Sequence, residues 1–225
     1  MTRSRAGPTV LLTLLPWPAV WLGLYGLNGL AWTFILYHGL CLLPAAALGW
    51  REWAPGLRWP TRREALVLVC AAAAAAPLTV VAYRLFGAVL IDRHALLFAL
   101  ASRGFRPGWL IPLTCYFVVV NGVLEELFWR GVILRRLRGS TGRAWTPGAA
   151  WTAITFSGWH YLALRILLRP GWAEACLILI LAAGIFLDWL YRTSRTIVLP
   201  ILWHALVMDL PVMVVLWCAL GGGYR

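Results

Sequence analysis

Two adjacent glutamates, Glu125 and Glu126, interrupt an otherwise apolar run, Cys115-Tyr-Phe-Val-Val-Val-Asn-Gly-Val-Leu-Glu125-Glu126-Leu-Phe-Trp-Arg130. The chain has only eight acidic residues, so a side-by-side pair at this place is notable. A charged side chain at bilayer depth costs roughly 2.5–3.5 kcal/mol on insertion scales, so it marks function by default. Two of the four histidines, His160 and His204, also fall in apolar runs. These residue types suit hydrolysis. A carboxylate can take a proton from water as that water attacks a carbonyl, and an imidazole can share the proton or hydrogen-bond the developing oxyanion.

Helical spacing limits what each group can face. Consecutive residues point about 100° apart, so Glu125 and Glu126 cannot both face one spot. Glu126 and Arg130 are i, i+4 and form a candidate ion pair, which leaves Glu125 free to face the histidines. Phe156 and His160 are also i, i+4, so the ring can wall the imidazole. Glu125 lies about 15 Å from Arg135, His160 about 20 Å from Pro147 and His204 about 12 Å from Thr196, at 1.5 Å per residue. Three helices thus bring a carboxylate and two imidazoles to a similar layer. No serine stands in a nucleophile-elbow context, and no H-E-x-x-H is present.

The elements that must hold these groups are membrane helices. The chain has 225 residues and is 62% hydrophobic, well above the 45–50% or so of soluble domains. Spans of about 20 residues fit near 9–26, 29–49, 64–86, 109–134, 147–168, 172–191 and 196–218. The expected fold is an all-α, polytopic membrane bundle of about seven helices (seven to eight). Pro16 and Pro18 should kink the first span, and Gly26, Asn28 and Gly29 should turn tightly into the second. The stretch 88–101 carries Asp92, Arg93 and His94 and reads as interfacial or re-entrant. The bundle divides into N-terminal membrane helices with that segment (1–107) and a helix core carrying the motifs (108–225).

The net charge of +12 is carried by twenty arginines and no lysine. They cluster between apolar runs, a pattern of loops facing lipid and cytoplasm, with no nucleic-acid partner implied. Placing the N-terminus inside puts twelve arginines on one side and seven on the other, Arg130 apart, which favours that orientation. The location expected is the cell membrane, multi-pass, of a bacterial inner-membrane type. Five scattered cysteines show no metal-ligand spacing and read as core filling.

The motif residues carry a resemblance. Glu125-Glu126-x-x-x-Arg130, then Phe156-x-x-x-His160, then Leu199-Pro-Ile-Leu-Trp-His204 after the run from Gly184 to Ser194, are similar to the CPBP family. These are the CAAX-protease and bacteriocin-processing intramembrane glutamic endopeptidases, also called Abi, and a myxosortase-like member fits. The resemblance covers roughly residues 110–212. It implies Glu125 as the base that activates water, His160 as its partner, and His204 as an oxyanion donor. Glu126 would support or share the catalysis, with Arg130 and Phe156 supporting. No cofactor and no metal are implied, and the partner is a membrane-anchored or lipidated protein substrate in the bilayer. The family often has an asparagine four residues after the last histidine. Here that position is Met208, so the second oxyanion donor is expected from Asn121, one turn before Glu125, or from Asp209.

Bland readings stand beside these. Glu125 and Glu126 could form a structural ion pair with Arg130, although one arginine does not neutralise two carboxylates. His38 and His94 match no motif and read as structural or interfacial, and Asp188 as a partner for Arg192. Two further function classes remain open: a non-catalytic membrane scaffold, and a proton-coupled transporter using the same carboxylates. The absence of repeats and paired broken helices argues against the transporter.

Overall fold

The computed structural model describes residues 6–138 and 146–221. Arg3, Arg5, Arg143 and Arg225, which entered the charge comparison, lie outside them. Among the described residues six helices are long and apolar enough to cross a membrane. They are α1 (Gly7–Gly26), α2 (Leu30–Leu48), α3 (Arg62–Leu90), α5 (Pro107–Leu137), α8 (Trp172–Ser194) and α9 (Val198–Gly221). The interfacial stretch forms α4 (Arg93–Ala101), only nine residues long and capped by the Asp92 carboxylate on Ala95 N–H. The predicted span at 147–168 is present as two pieces, α6 (Pro147–Gly158) and α7 (His160–Leu167), parted by a turn at Trp159. The architecture is thus a polytopic helical membrane bundle of about seven helices.

Local chemistry explains several boundaries. The α1 ladder is interrupted at Leu15, before Pro16, whose ring nitrogen has no hydrogen to donate. The turn into α2 puts Asn28 at φ 47°, a left-handed conformation that asparagine tolerates. Helix α3 opens on a capping box, Thr61 with Glu64. It runs 29 residues to Leu90, four beyond the predicted end, with Pro77 inside it. At about 44 Å it exceeds a 30 Å hydrocarbon core, and its large side chains, such as Leu66, Val69, Leu78, Val81 and Leu85, stay exposed. In a bilayer that face meets lipid.

Contacts between loops fix which ends lie together. Arg136 makes a two-pronged pair with Glu52, at 2.7–3.0 Å, joining the end of α5 to the loop after α2. Arg58 donates to the carbonyls of Ser194 and Arg195, at the end of α8. At the opposite end, Tyr25 donates to Leu162 O, Asn28 to Ser102 O, and Arg169 meets Asp92 at 3.7 Å. This is the same grouping of loops that the arginine count requires.

Helix α5 lies near the middle of the packing. One core of Val20, Leu24, Tyr37, Leu42, Phe128, Trp129, Ile133, Phe156 and Trp159 joins it to α1, α2 and α6. A second, with Leu68, Leu187 and Leu199, joins α3, α8 and α9. Gly122 lets α5 approach α9: a Cβ there would sit 3.3 Å from the Ala205 backbone nitrogen. That approach sets the glutamate helix beside His204.

Candidate active site

The site residues ride on helical turns that are wider than α. Residues Ile35–Leu42, Phe117–Asn121, Leu127–Leu134 and His204–Asp209 form π-helical turns. They carry His38, Asn121, Arg130, and the pair His204 and Asp209, while Glu125 and Glu126 lie between two of them. Such turns close an i to i+5 ring, reach neighbours that regular spacing does not, and recur at functional sites.

The centre is a charged cluster with almost no exposure. Glu125, Glu126, Arg130 and Asp188 are 1% exposed or less. Arg130 Nη1 donates to Glu126 Oε1 at 2.9 Å, as their spacing requires, and Arg130 Nε donates to Asp188 Oδ1 at 2.8 Å. Its Nη2 donates to the Gly184 carbonyl, and its guanidinium lies 4.4 Å from the Phe156 ring centroid. Asp188 is thus paired with Arg130, and Arg192 Nε donates to its backbone oxygen. Gly184 allows this packing, since a Cβ there would stand 2.9 Å from the Phe156 ring.

His204 joins the cluster from α9. Its Nδ1–H donates to Glu126 Oε1 at 2.7 Å. Its Nε2 lies 4.0 Å from Glu125 Oε2 and 3.6 Å from Asp209 Oδ1, too far for direct hydrogen bonds. The sequence had Glu125 alone facing the histidines; here the closest histidine contact belongs to Glu126. The widened turn explains the i+5 position of Asp209. On an α-helix residue 208 would return to the face of His204; on a π turn residue 209 does. Met208 instead packs beside Leu68, Leu187 and Leu199.

Asn121 and Asp209 do come together, and they bring His38 with them. Asn121 Nδ2 donates to Asp209 Oδ2 at 3.1 Å, and Asn121 Oδ1 accepts from His38 Nε2 at 2.8 Å. The Tyr116 hydroxyl donates to His38 Nδ1 at 2.8 Å. With this donor order every bond in the chain from Tyr116 to Asp209 runs one way. His38, which reads from the sequence as structural or interfacial, is thus part of the polar network. The signal that could have found it is the one that singled out His160 and His204: a histidine inside an apolar run.

His160 and His204 both meet the Phe156 ring. The Phe156 ring centroid is 5.1 Å from that of His160 and 6.1 Å from that of His204. As first residue of α7, His160 turns Nδ1 onto the Phe156 carbonyl at 2.8 Å, one of the acceptors left at the end of α6. A carbonyl can only accept, so Nδ1 carries the proton and Nε2 keeps the lone pair of the neutral ring.

Four acids, Glu125, Glu126, Asp188 and Asp209, thus surround one arginine and one imidazole. Among the described residues no group of three or more His, Cys, Asp or Glu side chains is arranged to hold a metal ion.

Fold and cluster together define a polytopic membrane protein with a buried carboxylate–imidazole centre. Residues 107–208, a little under half of the chain, match the family model of the type II CAAX prenyl endopeptidases, Rce1-like. This agrees with the CPBP resemblance of the motifs over the same stretch; the match does not distinguish a myxosortase-like subtype. No curated protein and no solved structure matches the chain.

Proposed function

We propose that the protein is an intramembrane endopeptidase of the glutamic type. It hydrolyses a peptide bond near the end of a membrane-anchored or lipidated protein, with water activated by Glu125. The single observation that carries this reading is Glu125 itself: a carboxylate 1% exposed, whose Oε2 has no hydrogen-bond partner among the described residues. His204 Nε2 stands 4.0 Å from that oxygen, beyond hydrogen-bond reach. Arg130 is taken up by Glu126, Asp188 and Gly184. The family match over residues 107–208 supports the same reaction class.

In this reading Glu125 Oε2 takes a proton from water while the water oxygen bonds to the peptide carbonyl carbon. The carbonyl π electrons move onto oxygen, which is met by His204 Nε2–H. Glu126, bound to both Arg130 and His204 Nδ1, orients that ring and stabilises its cationic form. His160 partners Glu125 in returning the proton to the leaving nitrogen. The C–N bond then breaks, giving a carboxyl and a free amine. In this reading Asp209 and Asn121 take the part of the missing asparagine. Because Asn121 already donates to Asp209, it acts on the hole through Asp209.

The test is reporter cleavage by the purified full-length protein in liposomes. An internally quenched peptide ending in a farnesylated CAAX tetrapeptide is the probe. Wild-type protein cleaves it, and Glu125→Gln and His160→Ala, inserted and folded as wild type, do not. Equal cleavage by Glu125→Gln and wild type would overturn the reading and leave the scaffold or transporter alternative.

A further inference from the structure

One group of buried polar atoms is not used by the charged cluster. Tyr37 of α2 is 2% exposed and Trp129 of α5 is fully buried. The Tyr37 hydroxyl lies close enough to the Trp129 indole and the Glu125 carboxylate to interact with each, but short of good hydrogen-bond geometry. Yet Tyr37 Oη, Trp129 Nε1 and Glu125 Oε2 each lack a hydrogen-bond partner among the described residues. Native interiors keep few such atoms, and each calls for a reason. Packing explains the rings. Tyr37 is wedged against Trp159, at 4.5 Å between centroids, and His38, at 4.7 Å, while Trp129 meets Phe128 and Phe156 edge to face. None of these contacts needs the hydroxyl or the indole N–H.

The three atoms are complementary in type. Trp129 can only donate, Glu125 as a carboxylate can only accept, and the Tyr37 hydroxyl does either. A buried water is held by two to four such partners. We propose that Tyr37 and Trp129 are positioning residues that seat the hydrolytic water against Glu125, an inference that rests on the endopeptidase reading. The water accepts from Trp129 Nε1–H, gives one hydrogen to Glu125 Oε2 and the other to Tyr37 Oη. Its second lone pair is left for the carbonyl carbon. As the C–O bond forms, the first hydrogen passes to Glu125 and the second stays on the new oxygen. Helix α2, outside the matched residues 107–208, then supplies a working part of the site.

Tyr37→Phe tests this in the full-length protein, because it deletes one oxygen and keeps the ring that packs. Three readouts are needed: thermal stability in liposomes, kcat and KM on the farnesylated reporter, and the Glu125 carboxyl band in infrared difference spectra against Glu125→Gln. Replacing Trp129 by benzothienylalanine, which swaps N–H for sulfur at nearly constant shape, is the companion variant. The proposal expects stability equal to or above wild type, kcat at least tenfold lower with KM unchanged, and a shifted Glu125 band in both variants. An unshifted band overturns the water seat whatever the reporter does. Wild-type kcat in Tyr37→Phe, with Glu125→Gln inactive, overturns the seat and leaves the endopeptidase reading standing. An uncleaved reporter with wild-type protein removes that reading, and the infrared band alone then decides the seat.

Discussion

Helices α3 and α5 are of similar length and opposite character. Helix α3 keeps a regular α ladder for 29 residues, even past Pro77, and presents apolar side chains outward. Helix α5 is interrupted by two π-helical segments and buries Asn121, Glu125, Glu126 and Arg130. Both cross a bilayer by length and hydropathy. The difference is where the polar groups go. A lipid-facing helix satisfies its own backbone and needs nothing else. A helix that carries charge must turn each charged group toward a partner on a neighbour, and widened turns give it the extra angular freedom. In α5 and α9 the departures from regular helix coincide with the buried polar groups, whereas the π turn at Leu22–Gly26 carries none of the site residues.

Removing the α5 cation should have the largest effect on folding. Arg130→Ala leaves Glu126 and Asp188 buried without their partner, at an expected cost of about 3–5 kcal/mol. Denaturant unfolding in detergent, or the amount that accumulates in the membrane, measures it. A loss under about 1 kcal/mol would mean that the cluster is not held by this arginine.

His204→Ala comes next. The imidazole is proposed to meet negative charge that exists only during the reaction, so kcat should fall on the order of a hundredfold with KM unchanged. Asp209→Ala and Asn121→Ala should each lower kcat less, and the double variant no more than Asp209→Ala alone, since Asn121 acts through Asp209. Additive losses would make Asn121 a donor in its own right.

Gly184→Ala sharpens the packing side of the comparison. Its methyl would enter the Phe156 ring and push it against Arg130. Overpacking of this kind costs about 1–3 kcal/mol. On α3, by contrast, Val67→Leu changes an exposed, lipid-facing residue and should stay within about 0.5 kcal/mol of wild type. Equal effects at the two sites would erase the distinction between the helices.

Much of the architecture was legible in the sequence, because spans are set by apolar length and loops by arginine. The i, i+4 pairing of Glu126 with Arg130 was also legible, and the long arginine side chain still reaches Glu126 although Leu127–Leu134 is π-helical. Three features were not. The break at Trp159 has no proline or charge to announce it, so one span was expected where α6 and α7 meet. Asp209 reaches His204 through a π turn, and a one-residue slip of that kind is invisible to α-helical counting. His38 and Tyr37 lie on α2, far from every motif, and the packing of α2 against α5 brings His38 to Asn121 and Tyr37 to the neighbourhood of Glu125.

The most direct measurement is turnover of the farnesylated reporter by wild type and by Glu125→Gln, both in liposomes at matched insertion and stability, with and without EDTA. The account predicts cleavage by wild type that EDTA leaves unchanged, and none by Glu125→Gln. Cleavage by Glu125→Gln at the wild-type rate, or activity lost to EDTA and restored by zinc, would contradict it.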